Sequence, residues 1–218
     1  MNICLILSAG TSNRFGGDIP KQYKLLAGKE VVTYSIEAMR QATSVDKIVV
    51  ISDEENIKKL CKRYDVVATN GGETRNQSLR NGLEYIKKYY PQCKRVFINE
   101  AARPFITAEL VDGYFSKLDK YEAVITAQHI TDSLGRYAEE VTERAEYYLV
   151  QAPEAFHFHL LYDYFSADSP VTATFQQLPA GTHVYRNFDF RQNLKITYPE
   201  DLFIAEALMR YYDEISCT

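Results

Sequence analysis

No apolar run in these 218 residues approaches the roughly 18 that span a bilayer, and the leading segment Met1-Asn2-Ile3-Cys4-Leu5-Ile6-Leu7 lacks both a basic leader and a small-residue cleavage site. The expectation is a soluble, cytoplasmic protein with no membrane partner. A basic excess is also missing, since 25 Lys and Arg stand against 29 Asp and Glu for a net charge of −4. That balance does not neutralise a nucleic-acid backbone, so no nucleic-acid partner is expected; a local cluster of cations around one small polyanion is still compatible with it. Cysteine is sparse: Cys4, Cys61, Cys93 and Cys217 form no C-x-x-C pair or other zinc spacing, and they read as free thiols of a reducing compartment. His157 and His159 form an H-x-H pair inside Phe156 to Leu161, a stretch that reads as helix. At helical pitch such residues point to nearly opposite faces, which disfavours shared metal ligation. Repeats, low-complexity tracts and linker-like Gly/Ser/Pro runs are absent too, so residues 1–218 read as one domain.

What is present is an alternation. Short apolar runs at Ile3 to Leu7, Lys47 to Ile51, Val66 to Ala68, Arg95 to Ile98 and Ala123 to Thr126 predict buried strands. Helical patterns lie between them. Ser52 with Glu55 fits a capping box ahead of Ile57 and Leu60, and Leu79, Leu83 and Ile86 recur at helical spacing. The alternation predicts an α/β fold with a mostly parallel central sheet and ligands beyond the carboxyl ends of the strands. A last strand is expected over Asn193 to Thr197, followed by a helix opened by Thr197-Tyr198-Pro199-Glu200. The segment from Gln128 to Gln151 is polar, and its halves read as an extended hairpin arm. A two-stranded arm is marginal alone, so it is expected to pack on a second subunit of a homodimer.

The chemistry concentrates after the first strand, in Ser8-Ala9-Gly10-Thr11-Ser12-Asn13-Arg14 and Pro20-Lys21-Gln22-Tyr23. Small residues let backbone N–H groups approach an anion, and Arg14 and Lys21 can reach phosphate oxygens. The segment reads as a triphosphate cradle. It contains neither G-x-x-x-x-G-K-[ST] nor G-x-G-x-x-G, and taken alone it is equally an ordinary turn with two solvated cations. Further along stand Gly71-Gly72-Glu73-Thr74-Arg75-Asn76-Gln77-Ser78, Glu100-Ala101-Ala102-Arg103-Pro104 and Asn193-Leu194-Lys195-Ile196-Thr197-Tyr198-Pro199-Glu200-Asp201-Leu202.

In that order and spacing the motifs resemble the 2-C-methyl-D-erythritol 4-phosphate and ribitol-5-phosphate cytidylyltransferase family, over essentially the whole chain. The resemblance implies a Rossmann-like nucleotidyltransferase fold with a protruding β-hairpin dimerisation arm. It also implies transfer of CMP from CTP to a polyol phosphate, with Mg²⁺ on the triphosphate. Such chemistry asks a protein mainly for positioning and charge neutralisation. By the family pattern Arg14, Lys21 and Lys195 are the catalytic cations. Ser8, Ala9, Gly10, Thr11, Ser12, Asn13, Gly71, Gly72, Ser78 and Ala101 match nucleotide-binding positions. Ser78 is alternatively a residue that only caps a helix.

The acceptor side of the resemblance falls on Glu100, Arg103, Ser133, Arg144 and Thr172. Glu100 stands where the family has Asp, near substrate and metal, and Arg103 suits ion pairing beside the site as well as binding. Ser133 and Arg144 match arm residues that reach the acceptor phosphate across the dimer; the plain alternative is a solvated arm. This half departs from the pattern. Ala152-Pro153-Glu154 replaces Thr-Pro-Gln, Thr172-Ala173-Thr174 replaces Thr-Asp-Asp or Thr-Asp-Glu, and Ser12 takes the place of a second Gly. These changes tilt the expected acceptor toward a surface-polymer precursor such as ribitol or glycerol phosphate. Two other readings stay open: a silent nucleotide-binding regulator, and a nucleotidyltransferase with another base or sugar phosphate.

Overall fold

The computed structural model describes residues 1–135, 137 and 142–216; Cys217 lies outside them. In chain order the strands are β1 (Asn2–Leu7), β2 (Leu25–Leu26), β3 (Lys29–Glu30), β4 (Lys47–Ser52), β5 (Val67–Asn70), β6 (Arg95–Glu100), β7 (Ala123–His129), β8 (Tyr148–His157) and β9 (Val184–Asn187). The helices are α1 (Val31–Gln41), α2 (Glu54–Tyr64), α3 (Arg75–Tyr89), α4 (Ala108–Lys117), α5 (Phe158–Tyr164) and α6 (Glu200–Ser216). Seven strands form one sheet in the order β5-β4-β1-β6-β8-β7-β9, and β2 with β3 makes a separate small ladder. Only β8 runs against the others, pairing antiparallel with both β6 and β7.

The runs read as buried strands are mostly apolar because both sheet faces are covered. On β1, Cys4 and Ile6 pack with Val32, Ile36 and Met39 of α1, while Ile3 and Leu5 pack on the opposite face with Leu79, Leu83 and Ile86 of α3. Helix α3 lies close at Gly82, where an added Cβ would come within 2.4 Å of Ile51 Cδ1. Residues 193–197 form no strand; the segment touches the sheet end through Ile196 N–H to Ala102 O at 2.9 Å. The last strand of the sheet is instead β9, beside β7.

Local signals shift in similar ways. Asp53 caps α2 by accepting from Asn56 N–H, because the Ser52 hydroxyl is taken by Tyr23. At the start of α6, Asp201 Oδ2 accepts from the N–H groups of Thr197 and Tyr198 at 2.7 and 2.8 Å, and the Thr197 hydroxyl turns to Lys195 O. The expected helix over Phe156 to Leu161 begins only at Phe158. Phe156 and His157 end β8, with His157 Nε2 3.0 Å from Leu118 O and His159 exposed. The arm is paired at its base, from Thr126↔Gln151 to His129↔Tyr148, and Arg144–Glu146 is a 3-10 turn. The rest of the expected hairpin carries no strand among the described residues, and 136 and 138–141 lie outside them. No described helix is long and apolar enough to cross a membrane.

Candidate active site

The loop after β1 is built from inside. Ser8 is buried at the strand end, its N–H on Ile51 O at 2.8 Å and its hydroxyl 3.0 Å from Tyr23 OH. Gln22, also buried, donates its carboxamide to Ser8 O at 2.7 Å and Gly10 O at 2.9 Å. Ser12 has φ of +61°, a conformation in which glycine costs least. Its side chain compensates: the hydroxyl accepts from Lys21 N–H at 3.0 Å and donates to Gln22 Oε1 at 3.2 Å. Ser12 thus ties the two halves of the cradle together, which a glycine cannot do. Thr11 and Asn13 bond each other at 3.0 Å on the exposed rim, with Arg14 exposed beside them. A Cβ at Gly10 would meet nothing within 4 Å, so the chain's own packing does not require glycine there.

Gly71 and Gly72 close the cradle from β5. A Cβ on Gly71 would lie 2.2 Å from that of Ala9, so glycine lets the two loops touch. Ser78, buried inside α3, accepts from Gly72 N–H at 3.0 Å, while Thr74 caps the helix in a capping box with Gln77. The role of Ser78 is therefore to hold the glycine turn rather than to cap. Ala101 is buried, its N–H on Leu7 O at 2.9 Å, which fixes the ends of β1 and β6 side by side.

Glu100, at the carboxyl end of β6, gathers three cations. Oε2 lies 2.6 Å from Lys195 Nζ and 3.6 Å from Arg103 Nε, and Oε1 lies 2.9 Å from Arg75 Nε. Arg103 also donates to Asn193 O at 3.0 Å, and Asn193 donates to Ala152 O at 2.7 Å. Lys195 is thus carried on an irregular segment held at both flanks. Lys21 stands near this group: burial, then the charges of Lys195 and Arg14, hold its ammonium below the ordinary lysine value. Arg14, Lys21 and Lys195 converge as the motifs suggested. Arg75 joins them through Glu100, while Gln22 props the first loop and Asn193 fixes the Lys195 segment; all three stand within the quoted motifs, which gave them no role.

Burial pushes the Glu100 carboxyl up, but Lys195, Arg75 and Arg103 outweigh it and hold it at about 2. A folded value below the unfolded one stabilises the protein above the unfolded carboxylate range, and that stabilisation is lost as pH falls through the folded value. The depression corresponds to about 3 kcal/mol across that window. Thermal melts of wild type and Glu100→Gln should therefore differ most near neutral pH and converge as pH falls toward about 2. A gap that stays constant with pH would show that the carboxylate charge is not what holds the cluster.

Thr172 presents its carbonyl, not its side chain, to Arg75 Nη1, at 3.1 Å. It borders a cavity of about 350 Å³ together with Arg75 and Asn76. Ser133 and Arg144 lie exposed on the arm, where Arg144 donates to Thr131 O at 2.6 Å rather than joining the Glu100 cluster. Both oxygens of Glu100 already face cations, and no group of three His, Cys, Asp or Glu suited to a metal occurs among the described residues.

The family model described as IspD, 2-C-methyl-D-erythritol 4-phosphate cytidylyltransferase, matches residues 3–211. Relatives named 2-C-methyl-D-erythritol 4-phosphate cytidylyltransferase include one from Azobacteroides pseudotrichonymphae genomovar. CFP2, 34% identical over 219 residues, covering 94% of this chain and 97% of its own. Another, from Bacteroides thetaiotaomicron, is 30% identical over 227 residues, covering 94% and 98%. The crystal structure of 4-diphosphocytidyl-2C-methyl-D-erythritol synthase from Anaerococcus prevotii superposes with a TM-score of 0.81 at 25% identity, covering 96% of each chain. With its cation-lined cradle at the carboxyl ends of β1 and β6, this chain belongs to the 2-C-methyl-D-erythritol 4-phosphate cytidylyltransferase family and is a CTP-dependent nucleotidyltransferase acting on a sugar phosphate.

Proposed function

We propose that the acceptor is 2-C-methyl-D-erythritol 4-phosphate and that the chain serves isoprenoid biosynthesis. An oxygen of the acceptor phosphate attacks the α-phosphorus of CTP. One P–O bond forms, the bond to the β-phosphate bridge breaks, and pyrophosphate leaves with the electron pair. The observation that carries this reading is the convergence of Lys21, Lys195 and Arg14, in a chain matched by the family from residue 3 to residue 211. Arg14 and Lys21 face the triphosphate from the first loop, and Lys195, preset by Glu100, meets charge that develops on the reacting phosphates. At about 4 Å and an effective dielectric near 20, each such contact is worth roughly 4 kcal/mol before desolvation is counted. Magnesium belongs to the substrate as MgCTP, since the phosphates bring most of its ligands. An idle nucleotide-binding relic has no need for three cations held together against their mutual repulsion.

The arm supports a homodimer. Tyr137, Tyr147 and Leu149 are exposed on it, Ser133 is exposed and Arg144 bonds Thr131 O, and a second subunit would cover the first set and use the second. A surface-polymer precursor, ribitol or glycerol phosphate, is the second reading, favoured by Ala173 and Thr174 in place of the acids. For the nucleotide, CTP should raise the melting temperature while ATP, GTP and UTP at the same concentration do not, because only a ligand of the native state stabilises it. Equal shifts with all four would contradict cytidine selectivity.

A further inference from the structure

Glu154 is a buried carboxylate on β8, its side chain 2% exposed, where the resembled family carries Gln. Its Oε1 accepts from Phe175 N–H at 3.2 Å, the Thr174 hydroxyl bonds it, and Oε2 stands 3.8 Å from Arg75 Nη2. Arg75 is a bridge. Its Nε reaches Glu100 at 2.9 Å, and its Nη1 reaches Thr172 O at 3.1 Å and Thr174 Oγ1 at 3.3 Å. One guanidinium therefore links the reacting cluster to the segment 172–174, and Glu154 is the second carboxylate on it. The acid missing from that segment has reappeared on the opposing strand, facing the same Arg75 and the very Thr174 that stands in the acid's place.

We propose that Glu154 is a positioning residue for the acceptor: by holding Arg75 and Thr174 it fixes the arginine that pairs with Glu100 and the segment 172–174, whose Thr172 borders the cavity beside Arg75, replacing a loop carboxylate by a strand carboxylate. Burial pushes the Glu154 carboxyl up by more than Arg75, the Thr174 hydroxyl and the Phe175 N–H draw it down, so its hold on Arg75 and Thr174 rests on hydrogen-bond geometry. The inference rests on the cytidylyl-transfer reading for its substrate.

The test is a double-mutant cycle over Glu154→Gln and Thr174→Asp, two substitutions that change volume little. With CTP, Mg²⁺ and 2-C-methyl-D-erythritol 4-phosphate, Glu154→Gln should raise the acceptor KM about tenfold, the scale of one lost charged contact, and leave the CTP-induced melting shift unchanged. Thr174→Asp alone sets two carboxylates against each other and should also weaken acceptor binding. The double variant returns one acid to Arg75 and should recover the acceptor KM to within about threefold of wild type. An acceptor KM for Glu154→Gln within about twofold of wild type, or a double variant worse than either single, would overturn the proposal. Should the wild type itself turn over no methylerythritol phosphate, the substrate reading fails separately. The melting temperatures of the same four proteins still decide the coupling, since rescue predicts a double variant more stable than the sum of the singles and additivity refutes it.

Discussion

Lys21→Ala is expected to lower turnover by about 10² to 10³ while shifting the melting temperature by no more than about 3 °C. The fold loses little. The Lys21 N–H stays on Ser12 Oγ, the turn Lys21–Tyr23 is anchored by buried Gln22 and Tyr23, and the side chain has no ion pair among the described residues. Removing its charge even relieves repulsion from Lys195 and Arg14. Turnover loses much, because a cation held below its ordinary pKa by burial and like charges gains most when a polyphosphate arrives to neutralise the group. Near-normal activity, or a collapse in melting temperature that accounts for the loss, would remove Lys21 from the catalytic role.

Mixing two inactive proteins, Lys21→Ala and Arg144→Ala, is expected to restore activity. If the arm reaches the neighbouring subunit, a heterodimer has one site that keeps both Lys21 and Arg144 intact. Random exchange makes about half the dimers hetero, each with one good site of two, so the ceiling is about a quarter of wild-type activity. The structural ground is that Arg144 is anchored to Thr131 O on the arm and not to the Glu100 cluster of its own chain. Sedimentation must first show dimers that exchange. A fully exchanged mixture that stays inactive would mean Arg144 serves its own subunit or no site at all.

Sequence patterning reached the elements whose burial is symmetrical. β1, β4 and β6 read as strands because helices cover both faces of the sheet and their central side chains are apolar on both sides. The half of β8 beyond Gln151, where the hairpin reading ended, escaped because it carries Pro153 and buried Glu154, whose carboxyl is satisfied by partners distant in sequence. β9 escaped because a four-residue edge strand holding Arg186 has no period to detect. Leu194 and Ile196 alternate as a strand does, yet their segment is fixed by Arg103 and Asn193 instead of a ladder. In the site, cations near the small-residue loop were legible by type. Their arrangement was not: Gln22 propping the loop, Ser12 accepting the Lys21 N–H, and Glu100 holding three cations are tertiary facts that no spacing encodes.

The central claim, cytidylyl transfer to methylerythritol phosphate, is tested most directly by pyrophosphate release and product mass with CTP, Mg²⁺ and a panel of acceptors: 2-C-methyl-D-erythritol 4-phosphate, ribitol 5-phosphate and glycerol 3-phosphate. The predicted result is a CDP-alcohol formed from the first at a kcat/KM at least about tenfold above either of the others, and no product with ATP, GTP or UTP in place of CTP. Turnover of ribitol or glycerol phosphate in preference, or pyrophosphate release independent of the base, would contradict it.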